Sequence, residues 1–166
     1  VPDRAYLYPK LTGRELLYFM CDLYQVPTRQ VEARIDNILD EYSLTPWQDA
    51  LIESYSHGMR QRVAMCAAMV HAPQVLIVDE PMVGLDPHGA REFKASLRRY
   101  ARSGVTIFLS THSLNVAEEI ADNLAIIHRG SIITKGTLDE IRESAGSPDE
   151  GLEEMFLELT AAGVAH

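Results

Sequence analysis

Asp79 and Glu80 stand side by side at the end of the apolar run Val75-Leu76-Ile77-Val78, with Pro81 immediately after them. A short apolar strand that ends in two carboxylates aims them out of its sheet, into the crevice where open α/β sheets hold their ligands. Adjacent acids at such a place can divide a reaction between them. An ionised Asp is a hard oxygen ligand for Mg²⁺, directly or through water, and a neighbouring Glu can orient or deprotonate an attacking water. The plainer alternative is a pair of solvated acids where a strand leaves its sheet.

Ser56 and Gly58, in the stretch Ser56-His57-Gly58-Met59-Arg60-Gln61-Arg62, sit where a helix should begin. Helix N-termini present free amides and partial positive charge, which suits a phosphate. Gly58 lets a backbone approach closely and the Ser56 hydroxyl can add a hydrogen bond, although an ordinary N-cap also explains the serine. Arg60 and Arg62 read as a solvated helix face. His112 follows a second apolar run, Val105-Thr106-Ile107-Phe108-Leu109. If the two runs are neighbouring strands, this histidine shares a sheet edge with Glu80, placed to contact a phosphate or to hold the glutamate and its water in line. His57, His71, His88, His128 and His166 read as polar surface residues, and Asp86 as a helix cap.

These groups need a scaffold, and 166 residues are enough for one domain with a substantial core. A formal net charge of -9 argues against a nucleic-acid partner, so any bound phosphate has to be held by local geometry. Cys21 and Cys66 lie far apart in apolar, helix-like surroundings, as buried free thiols suited to a reducing cytoplasm. No apolar run approaches the ~20 residues that span a bilayer, and the N-terminus lacks the layout of a signal peptide. The chain starts at Val1 rather than Met, as a piece of a longer protein or a processed chain would.

Taken in order, a proline-containing loop leads to a capping box, Thr12 with Glu15, and a helix to about residue 24. Pro27 breaks that helix and Thr28 can cap the next, whose Val31, Ile35, Ile38, Leu39 and Tyr42 fall on one face. A linker with Pro46 and Trp47 precedes a third helix from Ser56 to about His71, ended by Pro73. The run at residues 75–78 reads as a strand buried on both faces. Asp86 and Pro87 are a cap and first-position signal for a helix that Ser103-Gly104 closes. With a strand on either side, that helix implies a parallel pair joined by a right-handed crossover. Ser113 can cap a short helix, Arg129-Gly130 marks a hairpin, Thr137 with Glu140 is a second capping box, and residues 146–151 form a loop before a terminal amphipathic helix.

Four of these stretches, in this order and spacing, resemble the motifs of ATP-binding cassette (ABC) ATPases. Ser56-His57-Gly58-Met59-Arg60-Gln61-Arg62 is similar to the family's signature motif, and Val75 to Glu80 to its Walker B strand with the catalytic glutamate. Gly84-Leu85-Asp86-Pro87 resembles the D-loop, and Ser110-Thr111-His112 the switch histidine. Leu11-Thr12-Gly13-Arg14-Glu15 resembles the segment after the Q-loop, so the likeness covers nearly the whole chain.

The resemblance implies an α/β fold: part of a P-loop NTPase-type core, with a mainly parallel sheet and flanking helices, plus an α-helical subdomain carrying the signature. The expected division is residues 1–72 for the Q-loop end and signature subdomain, 73–145 for the second half of the ATPase core, and 146–166 for a C-terminal loop and helix. It also implies ATP and Mg²⁺ as ligands and a head-to-tail dimer with a second ATPase subunit. Carried over, Asp79 binds Mg²⁺ through water, Glu80 polarises the attacking water, and His112 contacts the γ-phosphate. Ser56 and Gly58 serve the partner's nucleotide, and Asp86 communicates across the interface.

Three departures qualify the likeness. His57 stands where the family's L-S-G-G-Q has its first glycine and Met59 where it has glutamine, so a side-chain hydrogen bond is lost while backbone donors remain. Asp3 takes the place of the Q-loop glutamine. No G-x-x-x-x-G-K-[ST] occurs in the sequence, and the family places that loop upstream of the Q-loop. The expectation is therefore the C-terminal part of a bacterial transporter's ATP-binding subunit, acting with membrane-spanning partners at the cytoplasmic face of the cell membrane and inactive by itself. A soluble ABC-type ATPase of DNA repair or translation is one alternative, and a non-catalytic truncated cassette serving as a binding module is another. A sheet lacking strands would also expose an apolar edge and favour self-association.

Overall fold

Prolines and caps cut the first part of the chain into helices, seen here in a computed structural model that describes residues 1–2, 6–145 and 151–162. Asp3, His166 and all but the last residue of the 146–151 loop lie outside the described residues. The first helix, α1 (Gly13–Leu23), opens with the expected capping box. The Glu15 amide donates to Thr12 Oγ1 at 3.1 Å, and the Thr12 amide to Glu15 Oε2 at 2.8 Å. In α2 (Thr28–Glu41) the N-cap is Pro27 rather than Thr28. Pro27 already holds the extended backbone that a cap requires, so Thr28 becomes the first helical residue and no side chain caps the turn.

The linker folds into two short 3-10 turns, Thr45–Trp47 and Ile52–Ser54, tied back to the start of the chain by Ile52 N–H to Leu11 O at 2.9 Å. The third helix, α3 (His57–Met69), is buried on most sides and packs with α1 and α2. Leu17, Ile35, Leu39, Leu44, Val63 and Met65 are closed off from solvent at the centre of this helical region.

Strand β1 (Val75–Asp79) follows, then α4 (Pro87–Arg102) and strand β2 (Thr106–Ser110). The strands pair in parallel from Val75 opposite Thr106 to Asp79 opposite Ser110, as the strand-helix-strand order implied. Val1 lies along β1 as well: its amino group donates to Ile77 O at 2.6 Å, and its carbonyl accepts from the Asp79 amide at 2.9 Å. The expectation of burial on both faces is corrected. Leu76 and Val78 are buried, but Val75 is 57% exposed, Ile77 62% and Phe108 63%. Alternate side chains of a strand point to opposite faces, and only one face of this pair is covered.

The chain forms two compact units, residues 1–110 and 111–166. The second contains α5 (Leu114–Ile120), the antiparallel hairpin β3 (Leu124–His128) and β4 (Ser131–Gly136), α6 (Leu138–Ala145) and α7 (Leu152–Ala162). Arg129 (φ +49°) and Gly130 (φ +81°) both take left-handed backbone, as a two-residue hairpin turn of the primed type needs. The Thr137 and Glu140 capping box is present, whereas Ser113 occupies its cap position without a side-chain cap bond. Ile126, Ile141, Leu152 and Met155 form this unit's core. Among the described residues, no helix is long and apolar enough to cross a membrane.

Candidate functional site

The end of β1 and the start of α3 carry the groups singled out from the sequence. Asp79 closes β1 opposite Ser110, and its carboxylate accepts a hydrogen bond from the Ser110 hydroxyl. Glu80 is still joined to the ladder, since its amide donates to Ser110 O at 3.0 Å. There the chain turns: Glu80 has φ +46°, left-handed backbone that a non-glycine residue rarely adopts. Backbone strain of this sort concentrates at functional positions.

Beyond Glu80 the loop is a succession of tight turns. Val83 N–H donates to Glu80 O at 3.2 Å and Leu85 N–H to Met82 O at 3.3 Å. Gly84 has φ +77°, backbone that favours glycine, and a Cβ there would lie 2.7 Å from the His57 ring, which would have to move aside. Asp86 then caps α4, accepting from the Gly89 amide at 2.7 Å. With Pro87 at the first helical position, it explains where that helix begins.

At the start of α3 the Ser56 hydroxyl accepts from the Met59 amide at 3.2 Å, and Arg60 N–H bonds to Ser56 O. This leaves the His57 and Gly58 amides as the first-turn donors that helix geometry itself does not satisfy. Arg60 is exposed, as expected of a solvated helix face, whereas Arg62 is half-buried and departs from it. Arg60 Nε donates to Tyr55 O at 3.0 Å, and half-buried Arg62 donates to Gly58 O and Tyr42 O, so both brace local backbone.

Ser56, Gly58 and Asp86 are brought together on the wall of one cleft of about 480 Å³, with Tyr42, Leu85 and Phe93. Tyr42 Oη donates to Ser96 Oγ at 3.4 Å, and burial pushes its phenol up to about 12. Glu41 accepts from both Arg99 and the Tyr100 hydroxyl, which fixes α2 to α4 behind the cleft. Tyr100's phenol is held above its ordinary value, by burial first and then by neighbouring Tyr42 and Glu41.

His112 belongs to the second unit and is exposed. The turn that carries it is shaped by Ser113 N–H donating to Thr111 Oγ1 at 3.0 Å. Among the described residues no group of three or more His, Cys, Asp or Glu side chains is arranged to hold a metal ion. Asp79 with Ser110 offers a carboxylate and a hydroxyl at a strand end. Such a donor set fits a Mg²⁺ that keeps its waters and takes phosphate oxygens, rather than one held in an all-protein cage.

Sequence reasoning missed three residues here. Ser110 supports Asp79, and Gln61 and His57 reach from α3 to the loop after Glu80. Gln61 Nε2 donates to Pro81 O at 3.3 Å while 2% exposed, and His57 Nε2 lies 3.3 Å from Val83 O. Their spacing of four residues puts both on one face of α3. A polar residue among the apolar positions of a buried helix was the available signal.

Comparison with known proteins agrees with this geometry. The sequence profile of the ABC transporter family matches residues 1–83. The chain is 31% identical over its whole length to the ABC-type transporter ATP-binding protein EcsA of Bacillus subtilis, spanning 67% of that protein. It is 34% identical to the daunorubicin resistance ATP-binding protein DrrA3 of Streptomyces coeruleorubidus, over 87% of this chain and 46% of the relative. A solved structure of an ATP-binding subunit of an ABC transporter superposes with a TM-score of 0.90 at 34% identity, over 96% of this chain and 67% of the other. The chain thus spans about half to two thirds of the length of the relatives it matches. With an α/β fold of the P-loop NTPase type and the motifs placed as described, the chain belongs to the ATP-binding subunits of the ABC transporter family.

Proposed function

We propose that the whole protein hydrolyses ATP and couples that reaction to transport by membrane-spanning partners, with this chain contributing two half-sites. The observation that carries the reading is the end of the parallel pair, where Asp79, braced by Ser110, stands beside Glu80 at the sheet edge. Asp79 would hold Mg²⁺ through water, and the ion would supply charge neutralisation for the phosphates. Glu80 orients and polarises the attacking water, with His112 at the γ-phosphate. Ser56 and the first-turn amides of α3 serve the nucleotide of a second ATPase subunit arranged head to tail, and Asp86 relays between the two sites.

In this reading the functional partition is 1–72, 73–145 and 146–166. The membrane partner docks near the start of α1, where Tyr8, Pro9, Lys10, Leu11 and Phe19 line a hollow of about 380 Å³ and the Tyr8 and Phe19 rings meet edge to face. The protein works at the cytoplasmic face of the membrane. Relatives named for daunorubicin and linearmycin resistance favour export. The 166-residue chain does not turn over ATP alone, because it contains no phosphate-gripping G-x-x-x-x-G-K-[ST].

The test is steady-state ATP turnover by the full-length protein with its membrane partner. Glu80→Gln should lower kcat by about two orders of magnitude or more while ATP binding persists, as expected when the group that activates water is removed. Unchanged turnover would discard this reading.

A further inference from the structure

The residues joining α3 to the loop after Glu80 have no role in the reading above. Gln61 is a buried amide whose Nε2 donates to the Pro81 carbonyl, and His57, one helical turn earlier, sets its Nε2 against the Val83 carbonyl. One helix face thus holds two carbonyls of the same short loop, one on either side of Met82. The loop starts at Glu80 in left-handed backbone and ends at Asp86, the α4 cap, while the helix starts at Ser56. Gly84 completes the fit, because a Cβ at that position would lie 2.7 Å from the His57 ring and push it from its place.

We propose that His57 and Gln61 are positioning residues that join the two half-sites: they make the start of α3 and residues 80–86 move as one piece, so that nucleotide seated against Ser56 and Gly58 sets the placement of Glu80. This rests on the function proposed above. The departure of His57 from the family's glycine then has a purpose, since glycine has no side chain to reach Val83. The two hooks also differ in surroundings. Gln61 is buried, so its bond to Pro81 is shielded from competing water, whereas exposed His57 bonds at the surface and is the one that loosens first.

Two measurements test this. In the 166-residue chain, amide hydrogen exchange at Val83 and Leu85 should speed up about tenfold in His57→Gly, with the amides of α1 and α2 unaffected. His57→Gln, whose amide nitrogen can occupy the position of the ring Nε2, should restore protection, and His57→Asn, which is shorter, should not. Because His57 is exposed, these variants fold even if Gln61→Met does not. In the full-length protein, His57→Gly should lower kcat about tenfold and leave KM for ATP within about twofold, with His57→Gln recovering most of the loss. Unchanged exchange at Val83 and Leu85, or a rise in KM with kcat intact, would overturn the proposal. A wild-type protein without turnover would defeat the functional reading alone, and the exchange experiment would still decide whether the hooks hold the loop.

Discussion

In the helical region, Leu17, Ile35, Leu39 and Val63 are fully closed off from solvent, while on the paired strands Ile77 and Phe108 leave more than half their surface to water. Three helices can bury their facing stripes against one another, so the first region closes with nearby sequence alone. A parallel pair needs a layer on each side, and here one side has it. The relatives that this chain matches are longer than the chain itself.

The contrast is best broken at its closed end. Leu39→Ala should cost about 2–5 kcal/mol, the usual loss for truncating a fully buried leucine, read from urea unfolding of the chain. A cost near zero would mean that the helical core is looser than its burial implies.

Next in size is the joint between the two regions, where Tyr42 of the helical side bonds to Ser96 of α4. Burial raises the Tyr42 phenol from its ordinary 10 to about 12 in the folded chain, so folding favours the neutral form. That contribution is fully present below pH 10 and is lost as the pH rises through about 12. It amounts to about 2–3 kcal/mol on the usual linkage relation. Unfolding curves across this window should show the loss in the wild-type chain and a shallower one in Tyr42→Phe. The smallest effect belongs to the open face: Ile77→Thr should change stability by no more than about 0.5 kcal/mol, as exposed substitutions do. The same variant should lower self-association in sedimentation velocity, since it removes apolar surface without opening a cavity.

Local signals were the legible ones. Thr12 with Glu15, Thr137 with Glu140 and Asp86 with Pro87 each set a helix start, because capping depends on residues within one turn. Arg129-Gly130 announced its hairpin for the same reason. The Asp79 and Glu80 pair was legible from an apolar run and two acids, and the parallel pairing from element order. What escaped depends on distant partners. Nothing in Val75-Leu76-Ile77-Val78 says which face finds a cover. His57 looked like any polar surface residue because the Val83 carbonyl it meets comes from a separate element. Arg62 looked solvated because backbone carbonyls as acceptors leave no mark in sequence.

The left-handed turn at Glu80 also bears on how position 80 can be probed. Left-handed backbone costs an ordinary residue about 1–2 kcal/mol, and more when its side chain branches at Cβ. If Glu80 acts as proposed above, two filters meet at this one site: the proposed chemistry selects a carboxylate, and the direction of the chain rejects bulk close to the backbone. Glutamine changes the first and respects the second. Valine or threonine would fail both, so an inactive variant of that kind would say little about proton transfer and much about the path the chain takes out of the sheet.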